Sequence, residues 1–199
     1  MSILFIFSAP SGAGKTTLCR EMIRRSPGLV RSISHTTRAP RQREIPGKDY
    51  YFISKEEFTE KIEEGFFLEW AVVHGQFYGT SRENLNQANS LGKDLVMVID
   101  VQGAEKLQKL EVDAVYVFIL APSLQILEER LRHRGGVAEK EVRIRLTNAP
   151  EEMEMARKYD YILVNREFEA TVNTMLAIVT AERSKAHRVF SQKEQIGLS

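Results

Sequence analysis

The sequence predicts an α/β fold in which a parallel central sheet is flanked by helices. Apolar runs of strand length lie at residues 3–7, 95–99 and 114–120, and a fourth lies at 161–164. Unbroken apolar runs are typical of parallel strands that are buried on both faces. The intervals between them are long enough for the helical crossovers that parallel strands require.

Helical periodicity marks the segments between and after the predicted strands. These segments span residues 15–25, 82–91, 103–110, 123–133, 138–158 and 167–189. Ser54 and Glu57 have capping-box spacing and predict a further short helix that ends near residue 64. Ser123 is expected to cap the helix that follows it. Pro150 lies within the pattern at 138–158 and is expected to kink or split that helix near residue 149.

A glycine-rich turn, A-P-S-G-A-G-K-T-T at residues 9–17, directly follows the first predicted strand. Gly12 and Gly14 allow backbone N–H groups to converge on an anion, and the following helix adds the partial positive charge of its N-terminus. Lys15 supplies a cation for the outer phosphates, and Thr16 supplies a hydroxyl for Mg²⁺. In the strict motif, glycine occupies the position of Ala9. Alanine is accepted there provided that the residue keeps an ordinary backbone geometry. Strand, turn and helix together predict a P-loop NTPase fold that binds a nucleoside triphosphate.

The overall composition is that of a globular protein without a strong net field. The chain has 199 residues, with 28 basic and 27 acidic side chains. Because these charges nearly cancel, we expect no nucleic-acid partner and no membrane partner, and any anion site must be local. Cys19 is the only cysteine, which fits a reducing compartment and predicts a cytoplasmic location. The composition leaves open whether the protein is a monomer or a homo-oligomer.

Composition also divides the chain into predicted subdomains. Residues 34–80 are rich in glycine, proline and aromatic side chains with short alternating runs, which predicts an inserted, mostly β subdomain. Residues 126–149 are rich in arginine and contain a Gly-Gly pair, which predicts a helical lid. The core is then formed by residues 1–33, 81–125 and 150–190, followed by a polar tail at 191–199.

A second candidate anion site lies in the predicted insertion. Arg38 and Arg41 are three residues apart and flank Pro40, which stiffens the turn. Two guanidinium groups at this spacing can converge on one phosphate. An isolated pair of this kind is more often a solvated basic loop, but its occurrence beside a phosphate loop in a nearly neutral chain favours a phosphate site.

A longer pattern surrounds these arginines. It fixes Thr36, Thr37, Arg38, Arg41, Glu44, Gly47, Tyr50, Phe52 and Ile53. This pattern resembles the signature of guanylate kinases. The resemblance continues through residues 67–70, 77–80, 100–103, 130–135 and 164–165, so it covers nearly the whole chain.

The resemblance implies a role for each matching residue. The ATP site would consist of Ala9, Pro10, Ser11, Gly12, Ala13, Gly14, Lys15, Thr16, Thr17, Arg134 and Asn165. The GMP phosphate would be held by Arg38, Arg41, Tyr50 and Tyr78, and the guanine would be recognised by Ser34, Glu69, Thr80 and Asp100. The catalytic set would be Lys15, Arg41, Arg130, Arg134 and Arg145. Glu69 suits its role because guanine presents two adjacent N–H donors that one carboxylate can accept.

Asp100 has more than one possible role. It ends the apolar run at 95–99, so its carboxylate is expected beside the ligand crevice at the carboxyl end of a parallel strand. It could bind Mg²⁺ through water together with Thr16, contact the guanine amine, or do both. A helix N-cap before Gln102 is compatible with either role.

The sequence therefore predicts an enzyme that transfers the ATP γ-phosphoryl group to GMP, with Mg²⁺ as cofactor, giving ADP and GDP; dGMP is a further expected acceptor. Two alternatives stay open at this point. One is a guanylate-kinase-like module that binds proteins, although such modules usually have a damaged phosphate loop. The other is a kinase for a different phosphorylated acceptor, such as a ribose bisphosphate, which would not need Glu69 or Thr80.

Overall fold

The structure is a computed structural model that describes residues 2–42, 44–73, 75–133 and 139–190. Its strands are β1 (Leu4–Ser8), β2 (Leu29–Arg31), β3 (His35–Thr36), β4 (Tyr51–Phe52), β5 (Phe67–Val73), β6 (Gln76–Ser81), β7 (Asp94–Val98), β8 (Val115–Leu120) and β9 (Tyr161–Val164). Its helices are α1 (Lys15–Arg25), α2 (Lys55–Glu63), α3 (Glu83–Ser90), α4 (Val101–Lys109), α5 (Leu124–His133), α6 (Glu139–Glu154), α7 (Phe168–Arg183) and α8 (Ala186–Phe190).

The central sheet is parallel and has the order β2-β7-β1-β8-β9. Alternate residues of β1 face opposite sides, so Phe5 and Phe7 pack in one apolar cluster while Leu4 and Ile6 pack in another. Both faces of this strand are therefore buried, which explains its unbroken apolar run. The predicted fold class and its four principal strands are confirmed.

Strand β2 was not among the predicted strands. It has only three residues and pairs with β7 alone at the edge of the sheet. Only Leu29 is buried, and Val30 and Arg31 are half-buried. A short edge strand with one buried side chain has too little apolar periodicity to be recognised from sequence.

A second sheet lies within the stretch predicted to be a mostly β insertion. Its order is β4-β3-β6-β5, with antiparallel pairing of β3 and β5 to β6. Helix α2 covers it, and the Phe58 and Phe67 rings stack at 4.4 Å. This small core is separate from the two clusters around β1. The division of the chain into subdomains stays a prediction.

Two of the predicted helix caps are present. The Glu57 backbone N–H donates to Ser54 Oγ at 3.0 Å, and the Ile126 N–H donates to Ser123 Oγ at 3.2 Å. Each hydroxyl accepts one of the N–H groups that have no partner within the first helical turn.

Pro150 is expected to kink or split its helix near residue 149. The split is wrong, and the kink stays a prediction. Helix α6 continues through Pro150 to Glu154, and a 3₁₀ helix follows at Met155–Lys158. Val142 and Ala149 of α6 are both buried in the core around β1. We attribute the continuity to this packing, which compensates for the hydrogen bond that proline removes.

The helix predicted at 167–189 is also interrupted. Helix α7 ends at Arg183 and α8 begins at Ala186. None of the helices in the described parts of the chain combines the length and the apolar character needed to cross a bilayer.

Candidate active site

The phosphate loop connects β1 to α1 and has the backbone geometry that its glycines predict. Gly12 and Gly14 have φ values of 97° and 95°, and Gly14 is the N-cap of α1. A Cβ at Gly12 would lie 2.9 Å from Leu131 Cγ, so space and backbone both require glycine there. Among the described residues that have a side chain, only Glu111 has a positive φ. Ala9 therefore has the ordinary geometry that alanine in this position requires.

Lys15 extends from the start of α1 toward the carboxyl end of β7. Its Nζ donates to the Ile99 carbonyl oxygen at 2.5 Å. Thr16 follows it in the first turn of α1, and Asp100 follows Ile99. The lysine, the hydroxyl and the carboxylate are thus brought to one edge of the sheet.

Side chains distant in sequence hold the phosphate loop in place. Asn165 Nδ2 donates to the Ala13 carbonyl at 2.8 Å, and Arg130 reaches the Ala13 and Asn165 carbonyls at 3.4 and 3.2 Å. Arg145 donates to Ser11 Oγ at 2.8 Å. Asn165 is buried, and its amide supports the loop from behind, whereas the sequence predicts a nucleotide contact. That contact stays a prediction.

The predicted GMP-phosphate residues form one cluster. Arg38 Nε donates to the Tyr78 hydroxyl at 3.1 Å, and the Arg38 guanidinium lies 5.5 Å from the centre of the Tyr50 ring. Arg38 also donates to both Glu44 oxygens at 2.9 Å, and the Arg41 backbone N–H donates to Glu44 Oε2 at 2.8 Å. Glu44 therefore orients the arginine turn. Sequence reasoning placed it in the signature but gave it no role.

The predicted guanine-recognition residues also meet. Glu69 lies on β5 opposite Thr80 on β6, and the Ser34 and Thr80 hydroxyls are 3.1 Å apart. Asp100 caps α4, with its Oδ1 accepting from the Gln102 and Gly103 N–H groups at 2.7 and 3.2 Å. The N-cap role considered for Asp100 is thus confirmed.

Burial perturbs the Glu69 carboxyl strongly. Only 5% of the residue is exposed. The pKa of this carboxyl is raised from about 4.5 to about 7. Desolvation is the main cause, and the charge of Asp100 contributes to the same rise. Hydrogen bonding from Thr80 opposes this shift, as does the charge of Lys106. At neutral pH the carboxyl is therefore present in both protonation states, without a ligand.

One cleft of about 540 Å³ brings the two candidate anion sites together. It is lined by most of the phosphate loop, including Lys15 and Thr16, and by Ser34, Arg38, Arg41, Tyr50, Glu69, Tyr78, Asp100, Arg130 and Arg145. Ala13, Thr80 and Asn165 are buried and do not contribute to its lining. Arg134 lies outside the described residues.

The cleft also contains side chains that sequence reasoning missed. Val73, His133 and Glu152 contribute to its lining. Glu152 is half-buried on α6. Its pKa is raised, mainly by burial and in part by the charge of Asp100, and the charges of Lys15 and Arg145 offset part of this rise. Nothing in the sequence around Glu152 indicates that it lines the cleft, because only folding brings this part of α6 to the phosphate loop.

A phosphate loop that faces a second arginine site across one cleft defines the class of P-loop kinases that act on phosphorylated acceptors. The family model described as guanylate kinase matches residues 1–182. This chain belongs to the guanylate kinase family. The predicted family, fold class and type of enzyme are confirmed.

Relatives and solved structures agree with the family model. The chain is 46% identical over 187 residues to the guanylate kinase of Geobacter metallireducens, covering 94% of this chain and 92% of that protein. It is 47% identical over 186 residues to the guanylate kinase of Desulfotalea psychrophila, covering 93% and 92%. The crystal structure of guanylate kinase from Anaplasma phagocytophilum matches with a TM-score of 0.79 and 34% identity, covering 94% and 89% of the two chains.

Proposed function

We propose that ATP and GMP bind in this cleft and that the enzyme transfers the γ-phosphoryl group between them, giving ADP and GDP; dGMP is a further proposed acceptor. The observation that supports this most directly is that the phosphate loop and the Arg38/Arg41 turn line the same cleft. Direct transfer requires such facing sites, because acceptor and donor must be held in line. The intact Lys15 and Thr16 argue against a module that only binds proteins.

On the ATP side, the backbone of residues 9–17 would hold the phosphates, with Lys15 near the outer ones. Lys15 would exchange its contact with the Ile99 carbonyl for the phosphate. Arg130 and Arg145 reach the loop from α5 and α6, so they would add positive charge on the side facing the acceptor.

On the GMP side, Arg38, Arg41, Tyr50 and Tyr78 would hold the phosphate. Glu69 would accept the two adjacent guanine donors, with Ser34, Thr80 and Asp100 completing the recognition of the base. Adenine would leave a buried carboxylate unsatisfied, at a cost of about 1–3 kcal/mol or more for a charged group. The buried Glu69 argues against a kinase whose acceptor has no such base.

Mg²⁺ fits the same edge of the sheet. The Thr16 hydroxyl and the Asp100 carboxylate both line the cleft and are the hard oxygen donors that Mg²⁺ prefers. We propose that they hold the ion, Asp100 through water. The ion would neutralise charge on the ATP phosphates.

The nucleophile would be a phosphate oxygen of GMP. A phosphate monoester is mostly dianionic at neutral pH, since its second pKa is about 6, so the reaction needs no general base. The main barrier is repulsion between two anions, which Lys15 and the cleft arginines reduce. Residues 126–149 are proposed to form a lid that excludes water, and residues 34–80 the GMP-binding subdomain.

A coupled assay of ADP release tests the function. ATP with GMP is expected to give turnover at least 100-fold above ATP with AMP, UMP or dTMP, because only guanine satisfies Glu69. A ribose bisphosphate serves as the acceptor for the rival kinase. Equal or faster turnover with any of these acceptors would contradict the assignment of GMP.

The pH dependence of GMP use is a separate prediction. Guanine binding needs ionised Glu69, whose pKa without ligand is about 7. The KM for GMP is therefore expected to fall roughly tenfold between pH 6 and pH 8, as the ionised fraction rises from about one tenth to about nine tenths. Steady-state kinetics at saturating ATP measure this change.

The GMP phosphate itself titrates near pH 6, so a control must distinguish its titration from that of Glu69. Glu69→Gln keeps the phosphate titration and removes the carboxyl. A KM profile for GMP that is equally steep in the variant would show that Glu69 is not the titrating group.

We further propose a cytoplasmic enzyme whose partners are its small-molecule nucleotides, without nucleic acid or membrane. The near balance of charge and the single, buried Cys19 support this. A monomer and a homo-oligomer are both compatible with the sequence.

A further inference from the structure

The carboxylate of Glu69 packs directly against the first turn of α4. A Cβ placed on Gly103 would lie 2.5 Å from Glu69 Oε2 and 3.3 Å from Glu69 Cδ. Side-chain carbons essentially never approach an oxygen that closely, so any side chain at residue 103 must displace the carboxylate. The contact joins β5, in the predicted GMP-binding subdomain, to a helix of the predicted core.

The backbone of Gly103 does not itself require glycine. Gly103 lies within α4, and the positive φ values belong to other glycines. Glycine inside a helix is less favourable than alanine because it loses more conformational freedom on folding. The absence of a side chain at 103 therefore costs stability, and the close approach of Glu69 is the feature that requires it.

The Glu69 side chain can retreat only into the cleft. The residue is 5% exposed and lines the cleft, so a displaced carboxylate would move into the space proposed for the guanine. The neighbouring residue also holds β5 against α4, because Lys106 Nζ donates to the Trp70 carbonyl at 2.6 Å and lies 4.1 Å from the centre of the Trp70 ring. With β5 fixed in this way, an added methyl group would move the Glu69 side chain and not the strand.

We propose that Gly103 is a specificity-determining positioning residue, whose missing side chain lets the Glu69 carboxylate occupy the place from which it accepts the guanine donors. The inference rests on the proposed role of Glu69 in the GMP site. Gly103 touches no nucleotide and acts only through the carboxylate.

The test compares Gly103→Ala with Gln102→Ala. Gln102 is the preceding residue of the same turn, is exposed, and keeps its backbone N–H to Asp100 after substitution. Gly103→Ala is expected to raise the KM for GMP at least tenfold, to leave the KM for ATP within twofold, and not to lower the melting temperature. Gln102→Ala is expected to leave all three unchanged. If Gly103→Ala leaves the KM for GMP unchanged, or raises both KM values equally with a lower melting temperature, the inference is wrong.

A rescue experiment separates positioning from general damage. Glu69→Asp shortens the side chain by one methylene and makes room for the alanine methyl group. In that background, Gly103→Ala is expected to change the KM for GMP by less than threefold. If Gly103→Ala raised the KM for GMP as much in this background as in the wild type, the inference would be wrong and the role of Glu69 would stand. An unchanged KM for GMP in Glu69→Asp alone would overturn both, while GMP turnover by the wild type would still support the proposed reaction.

Discussion

Replacing Arg134 with alanine is expected to lower kcat roughly 10³-fold or more while the protein stays folded, by analogy with arginine fingers. The resemblance to guanylate kinases places this residue in the arginine-rich segment that follows α5. Arg130 and Arg145, the two other arginines of the predicted lid that the resemblance assigns to catalysis, both line the cleft beside the phosphate loop. A cation contributed from this segment would stabilise the charge that spreads over the transferring phosphoryl group. Single-turnover kinetics with GMP measure the loss.

Arg132→Ala is the matched control. Arg132 is two residues earlier on α5, with 46% of its side chain exposed, and forms ion pairs with Glu128 and Glu139. Exposed ion pairs of this kind contribute little to stability, so this variant is expected to keep kcat within about twofold. If Arg134→Ala also stays within tenfold of the wild type, Arg134 does not act in the transition state.

Replacing Glu69 with glutamine is expected to lower kcat/KM for GMP roughly 100-fold and to leave the KM for ATP unchanged. The variant loses a charge-assisted hydrogen bond worth about 1.5–3 kcal/mol and turns an amide donor toward the guanine donors. Because the proposed ATP site lies at the phosphate loop and does not include Glu69, the effect is expected to be confined to the acceptor. Initial rates with each substrate varied in turn measure the two constants.

The same substitution has a measurable effect on stability. The pKa of Glu69 is higher in the folded protein than in the unfolded chain, so its protonated carboxyl adds to the free energy of unfolding. This contribution is complete below pH 4.5 and is lost as the pH rises through 7. Between pH 5 and pH 8, the wild type is expected to lose on the order of 2–3 kcal/mol of free energy of unfolding that Glu69→Gln does not lose, so the variant gains this amount relative to the wild type. Urea unfolding at several pH values measures this gain.

Glu60→Gln provides the control for the kinetic measurement. Glu60 is an exposed residue of α2 in the same predicted subdomain. Its substitution is expected to leave kcat/KM for GMP and the KM for ATP as in the wild type. If Glu60→Gln lowered kcat/KM for GMP as much as Glu69→Gln does, the effect would come from removing any negative charge from this subdomain and not from Glu69 itself.

Local sequence predicted much of the fold because the relevant signals are short. The apolar run before the phosphate loop, the two positive-φ glycines and Lys15 all fall within residues 3–15, and β1, the loop and α1 form as expected. The cap of α2 by Ser54 is equally local. Pro150 shows the limit of such signals, because its helix-breaking tendency is overcome by core packing of α6.

The sequence by itself thus determined the α/β class, the phosphate loop, the arginine turn and, through its extended signature, the family. Tertiary structure alone decided that Asn165 supports the loop from behind, that Glu44 orients Arg38, and that Glu69 is buried against Gly103 with a pKa near 7. The physical reason is distance along the chain. Backbone geometry and apolar periodicity depend on neighbouring residues, whereas burial, electrostatic coupling and close packing depend on groups that only folding brings together.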